Sequence, residues 1–143
     1  MKADQLSIFL ENRAGRLAEV TQTLEENKIN IRALSLADTS DFGILRLIVS
    51  DFEKARDALK AKGFTVGRTA VVAVKVGDQP GGLHHILALL RDTSINVEYM
   101  YAFVHQTGDN AVIIFRFDRT EEAIELLREK GVEMIPCETL YTL

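Results

Sequence analysis

The sequence predicts an α+β fold of two tandem βαββαβ units, each an antiparallel sheet with both helices on one face. Three observations carry that prediction. The stretch Glu11-Asn12-Arg13-Ala14-Gly15-Arg16-Leu17 returns as Gly77-Asp78-Gln79-Pro80-Gly81-Gly82-Leu83. The apolar residues around each copy alternate with a period of two in some segments and recur at helical spacing in others. Glycines and polar pairs punctuate both copies at matching places.

The elements follow in order. Leu6, Ile8 and Leu10 alternate with Gln5, Ser7 and Phe9, which predicts a strand. Past the Gly15 turn, Leu17, Val20 and Leu24 mark the inner face of a helix. Asn27-Lys28 ends it, and Ile29-Asn30-Ile31 opens a second strand running to about Ala37. Asp38-Thr39-Ser40-Asp41 reads as a turn into a third strand, Gly43 to Val49. Ser50 and Glu53 form a capping-box signature for a second helix. Its inner face is Phe52, Ala55 and Leu59, and Gly63 stops it. Phe64 to Ala70 is a fourth strand.

The second half repeats this order. At an offset of 66, Gly15 matches Gly81, Leu24 matches Leu90, and Ile29-Asn30-Ile31 matches Ile95-Asn96-Val97. From the third strand on the offset is 68, so that Leu45 matches Ile113, Ser50/Glu53 matches Asp118/Glu121, and Lys62-Gly63 matches Lys130-Gly131. The two extra residues fall in the hairpin loop His105 to Asn110, where insertions are tolerated best. The expected domains are 1–70 and 71–143. No flexible linker joins them, since Thr69 to Val76 is nearly continuous strand, and Gly67-Arg68 is the expected bend. Ile44, Ile48 and Ile114 make the helix-free face of each sheet too apolar to stay wet, which predicts cover by packing and a homodimer.

Composition excludes several classes. Of 143 residues, 47% are hydrophobic and 27% charged, with net charge −4, which is no footprint for nucleic acid. Apolar runs fall short of the roughly 18 residues that span a bilayer, and the first residues lack a signal-peptide core. Cys137 is the one cysteine, which fits a reducing, cytoplasmic compartment and a small buried hydrophobe. His84, His85 and His105 lack metal-ligand spacing, so surface histidines are the expectation and no metal is assigned. Tyr99, Tyr101 and Phe103 alternate on one strand and are expected to pack rather than to stack on RNA bases. The carboxylates form no paired acid/base set, and no nucleophile triad, phosphate loop or dinucleotide fingerprint is present. No catalytic residue and no cofactor are therefore assigned.

The two glycine turns carry the candidate chemistry. Glycine where strand becomes helix permits unusual backbone angles and close approach of another molecule. The following helix start offers unpaired N–H groups, which favour an anionic group such as a carboxylate.

The polar–x–(Pro/Ala)–Gly–x–Leu turns, Asn12 to Leu17 and Asp78 to Leu83, with the Ile-Asn-Ile/Val entry to the next strand, resemble the ACT domain, the ferredoxin-like amino-acid-binding module of metabolic enzymes. The resemblance covers both halves. The first copy is similar to the serine-sensing domain of phosphoglycerate dehydrogenase, and the second to the Asp-x-Pro-Gly form in aspartokinase regulatory domains. It implies a non-catalytic regulatory protein whose small amino-acid ligand sits between adjacent ACT domains. Position by position it implicates Asn12, the backbone of Ala14, Gly15, Arg16 and Leu17, and Asn30. In the second half it implicates Asp78, the backbone of Gly81, Gly82 and Leu83, and Asn96. Asn12 can donate and accept, whereas ionised Asp78 only accepts and suits an ammonium group, so the two sites need not be equivalent. Two alternatives stand beside this reading. One is a regulatory subunit docking on a separate enzyme of amino-acid metabolism, as the small subunit of acetolactate synthase does. The other is an enzyme with an unrecognised site.

Overall fold

The computed structural model describes residues 1–38, 40–103 and 108–143. Contacts divide the chain into two units, Asp4–Thr69, and Met1–Ala3 with Ala70–Leu143. The division falls inside one long strand.

The first unit holds β1 (Lys2–Glu11), α1 (Arg16–Glu26), β2 (Ile31–Asp38), β3 (Phe42–Val49), α2 (Phe52–Ala61) and the start of β4 (Thr65–Gly77). Its sheet order is β2-β3-β1-β4, with β3 antiparallel to both β1 and β2. The even residues Leu6, Ile8 and Leu10 of β1 and the odd residues Leu45, Leu47 and Val49 of β3 face the helices. They pack with Val20 and Leu24 of α1 and with Phe52, Ala55 and Leu59 of α2 in one buried cluster. The period-two pattern thus meets the helical pattern on one face, as the sequence implies.

The second unit repeats the plan from the C-terminal part of β4. It contains α3 (Gly82–Leu90), β5 (Val97–Ala102), β6 (Asn110–Phe117), α4 (Thr120–Glu129), β7 (Met134–Ile135) and α5 (Cys137–Thr142). The order is β5-β6-β4-β7, so β4 plays here the part that β1 plays in the first unit. Val72, Val74, Val76, Phe115 and Phe117 form its helix-side core with Ile86, Leu90, Ala123 and Leu127. Phe115 and Phe117 stack 5.4 Å apart. Lys2 Nζ pairs with Glu121 at 2.5 Å, and that ammonium holds the Glu121 carboxyl below its usual range.

The repeat reaches individual hydrogen bonds. Asn12 N donates to Asp41 O at 2.9 Å and Asp78 N to Asp109 O at 3.0 Å. Gly15 and Gly81 share φ 88°, and both stand at helix N-caps. Ser50 N donates to Asn30 O, and Asp118 N to Asn96 O.

Several details depart from the sequence reading. Ser50 does not cap α2: its Oγ accepts from Asn30 N at 3.0 Å, and Asp51 accepts from Lys54 N instead. Asp118 makes the same latch to Asn96 N at 2.8 Å, and α4 has no side-chain cap. Both residues tie the entry of a strand to the entry of a helix. No break occurs at Gly67-Arg68, because β4 runs unbroken through them. Leu17 is not core; it is 42% exposed. The last strand is only two residues long, and α5 follows it without an obvious pattern in its six residues. Cys137 is half-buried at the start of that helix. Ile48 and Ile114 are fully buried within the single chain, while Ile44 is half-buried. Thr39 of the expected turn and residues 104–107 of the long hairpin, His105 among them, lie outside the described residues.

Candidate functional site

The first unit's turn forms where β1 ends and α1 begins. Glu11 stands opposite Phe42 at the top of β3, so the chain must reverse here. Gly15 takes φ 88° to do it, a left-handed angle that costs other residues about 1–2 kcal/mol. Asn12 is braced twice against the β2–β3 connection: its main-chain N–H donates to Asp41 O and its Nδ2 donates to Ser40 O at 3.1 Å. Its Oδ1 has no hydrogen-bond partner among the described residues, which leaves an acceptor at the rim. Ala14 and Gly15 N–H groups likewise have no main-chain partner there, and Leu17 N–H belongs to the first helical turn, where partners are lacking by construction.

Asn12 and Leu17 border a cavity of about 210 Å3 whose other lining residues are Leu10, Glu11, Arg13, Arg16, Leu36 and Gly43; Ala14 and Gly15 are not among them. The Asn12 acceptor and an apolar floor of Leu10, Leu17 and Leu36 stand side by side, and the open N–H groups of Ala14 and Gly15 belong to the turn between Arg13 and Arg16. Leu36 is 50% exposed although it pairs with buried Leu45, in contrast to Ile31 at the start of the same strand, which packs against the core. Sequence reasoning missed Leu36. Its alternation with Leu34 on an outermost strand was the available signal.

Arg16 closes the other side of the turn. Its guanidinium lies 4.5 Å from the Phe64 ring centre and pairs with Glu19 at 2.8 Å and Glu11 at 3.8 Å. Its Nε is buried without a hydrogen-bond partner.

Asn30 is not at this site within its own unit. It precedes Ile31, which pairs with Val49, whereas Asn12 follows Glu11, which pairs with Phe42. Seven residues of β3 separate those positions, about 23 Å at strand rise. The same holds for Asp78 and Asn96, since Gly77 pairs with Asn110 and Val97 with Phe117.

The second turn differs in detail. Asp78 N and Gly82 N are engaged by Asp109 O and Gln79 O, while the Gly81 and Leu83 N–H groups have no main-chain partner. A cavity of about 430 Å3 opens beside Gly81 and Gly82, on the side of the α4–β7 connection. Neither Asp78 nor Leu83 lines it. His84 and His85 are exposed at the start of α3. Among the described residues no group of three or more His, Cys, Asp or Glu is placed to hold a metal, and no helix is long and apolar enough to cross a membrane.

Comparison with known proteins agrees with the architecture. A family model described as an ACT domain pair matches residues 1–143. The crystal structure of protein BT0572 from Bacteroides thetaiotaomicron is similar at TM-score 0.94 and 43% identity, over 100% of this chain and 98% of that one. The regulatory subunit of aspartate kinase from Thermus flavus shares the fold at TM-score 0.61 and 21% identity, over 90% of each chain. That from Thermus thermophilus, in ligand-free form, does so at 0.59 and 18%, over 88% and 91%. No curated protein matches. Two glycine turns in register, two βαββαβ units and a family match over every residue lead to one conclusion: the chain belongs to the ACT domain pair family.

Proposed function

We propose that the protein is a non-catalytic, allosteric regulator that binds a small amino acid at the Asn12 turn. The observation that supports this most is the braced Asn12 at the rim of the leucine-floored cavity. Asn12 Oδ1 accepts from the ligand ammonium. The N–H groups of Ala14, Gly15 and Leu17 take its carboxylate, and Leu17 and Leu36 hold its side chain. Asp78, with Gly81, Gly82 and Leu83, is the corresponding site of the second unit.

A second copy completes the site in this proposal. Leu17, Leu34 and Leu36 are exposed beside the cavity on the outermost strand of the first unit. If two β2 strands meet antiparallel about a twofold axis, the start of the partner's strand falls beside the end of this one. Asn30 of the partner subunit then reaches the Asn12 turn that Asn30 of the same unit cannot reach. Asn96 relates to Asp78 in the same way. A regulator also needs a target, and an enzyme of amino-acid metabolism docking on this protein is the second part of the reading. Aspartate kinase regulatory subunits, which share the fold, make that kind of partner the first to test by co-purification.

A thermal-shift screen of the twenty amino acids identifies the ligand, and calorimetry then tests the site. Leaving a buried charged end of the ligand unpartnered costs roughly 1–3 kcal/mol, or about 5- to 150-fold in affinity. Asn12→Ala should weaken binding by that much and leave the ligand-free melting temperature within a few degrees. Equal affinities for wild type, Asn12→Ala and Asp78→Ala would remove both turns as the binding site.

A further inference from the structure

The two units differ where their turns meet the connection that follows their last long helix. In the first unit this place is narrowed, and a cavity of about 160 Å3 remains beside Glu19, Lys62 and Phe64. Arg16 lies over Phe64 and is tethered by Glu11 and Glu19. All four have counterparts in the second unit, and all four are changed. Gly82 stands for Arg16, Val132 for Phe64, Gly77 for Glu11 and His85 for Glu19. The plug, its platform and both of its carboxylates are missing together. What remains is the cavity of about 430 Å3.

Its lining has a different charge from the plug it replaces. Lys75 and Lys130 border it, with Glu133 as the one carboxylate. Lys75 Nζ already neutralises that carboxylate at 2.9 Å. Lys130 forms no ion pair among the described residues, and His85 adds a further nitrogen. The strand edge contributes a donor too. Lys75 N–H points to the β7 side and donates to Glu133 O at 2.9 Å. Two residues on, Gly77 N–H points to the same side, at the same wall of the cavity, beyond the start of β7.

We infer that this cavity binds a small oxyanion, a carboxylate or phosphate group, at a site separate from the Asn12 turn. Lys130 supplies the uncompensated charge, and Gly77 N–H and His85 supply hydrogen bonds. Gly82 keeps the mouth open. A side chain there would place its Cβ 1.9 Å from Gly77 O, so an arginine plug cannot be rebuilt on this backbone.

The test is an NMR titration of the full chain with inorganic phosphate and, in a parallel arm, with succinate, at constant ionic strength. The amides of Gly81, Gly82 and Val132 should shift saturably with at least one of the two anions. The arm that saturates at lower concentration identifies the preferred group. Lys130→Ala, an exposed change, should weaken binding about fivefold, the scale of one exposed charge pair. Val132→Phe restores the platform residue of the first unit and should abolish the shifts. Asn12→Ala and Asp78→Ala should both leave this titration unchanged, which separates it from the amino-acid sites of the two turns. Shifts that never saturate with either anion overturn the inference, as does an unchanged affinity in Lys130→Ala. Should Val132→Phe fail to fold, Lys130→Ala decides alone.

Discussion

Gly81 and Gly82 are neighbours in sequence and glycines for different reasons. Gly81 sits at φ 88° with open space where a Cβ would stand. Gly82 has an ordinary φ, but its Cβ position overlaps a carbonyl oxygen. Strain at the first is local and dihedral, about 1–2 kcal/mol. Relief at the second requires the backbone itself to move, so its cost lies at or above the upper end of overpacking, about 3 kcal/mol. Urea unfolding should therefore rank Gly82→Ala as clearly less stable than Gly81→Ala. The reverse order would mean that the turn relaxes and that its tightness is not built in. Asn12 shows the same economy at one position, since the side chain that faces the cavity also braces the β2–β3 connection through Ser40.

At the scale of elements, the two halves solve helix entry differently. Asp51 caps α2 by accepting from Lys54 N at 3.2 Å. Arg119 holds the matching position at α4 and makes no side-chain cap. Asp51→Ala should cost about 1 kcal/mol, the usual loss for a cap. Arg119→Asp should gain up to about 1 kcal/mol, less whatever its 3.5 Å pair with Glu122 contributes. Chemical denaturation of the two variants checks both signs. Loss of stability in Arg119→Asp would show that the Arg119–Glu122 pair outweighs a cap.

For the whole molecule, the question is where apolar surface remains exposed. Ile48 and Ile114 motivated a homodimer from sequence, yet one chain already buries both. The exposed leucines lie elsewhere, at Leu17, Leu34 and Leu36 beside the Asn12 turn. Expected assembly therefore uses the β2 edge and the site together. Sedimentation at micromolar concentration should give twice the 16.0 kDa chain mass, and Leu34→Glu with Leu36→Glu should return it to one. The same double change should lower amino-acid affinity, because the partner's Asn30 is then lost. A wild-type mass of 16.0 kDa throughout would separate the site from any partner copy.

Much of the architecture was written in the sequence because its determinants are local. Alternation placed Leu6, Ile8 and Leu10 on one face; helical spacing placed Val20 and Leu24 opposite them; and Gly15, Gly63, Gly81 and Gly131 marked the turns by the left-handed angles they alone take cheaply. The doubling of the pattern made each half a check on the other. Other features were decided only in three dimensions. Ser50 carries a capping signature, but Asn30 N reaches it first, across 20 residues of sequence. Leu17 fits the helical stripe, but the stripe is core only where the sheet lies beneath it, and α1 starts beyond the sheet's end. Asn12 and Asn30 both belong to the family pattern, yet strand direction sets them at opposite ends of β3. The empty place beside Gly82 had no signal in any one residue. It arises because Arg16 and Phe64, 48 positions apart, meet in one unit, while their counterparts in the other are too small to meet. Local propensity and periodicity fix elements and their order, whereas cavities and partners depend on which distant side chains the folded backbone brings into contact.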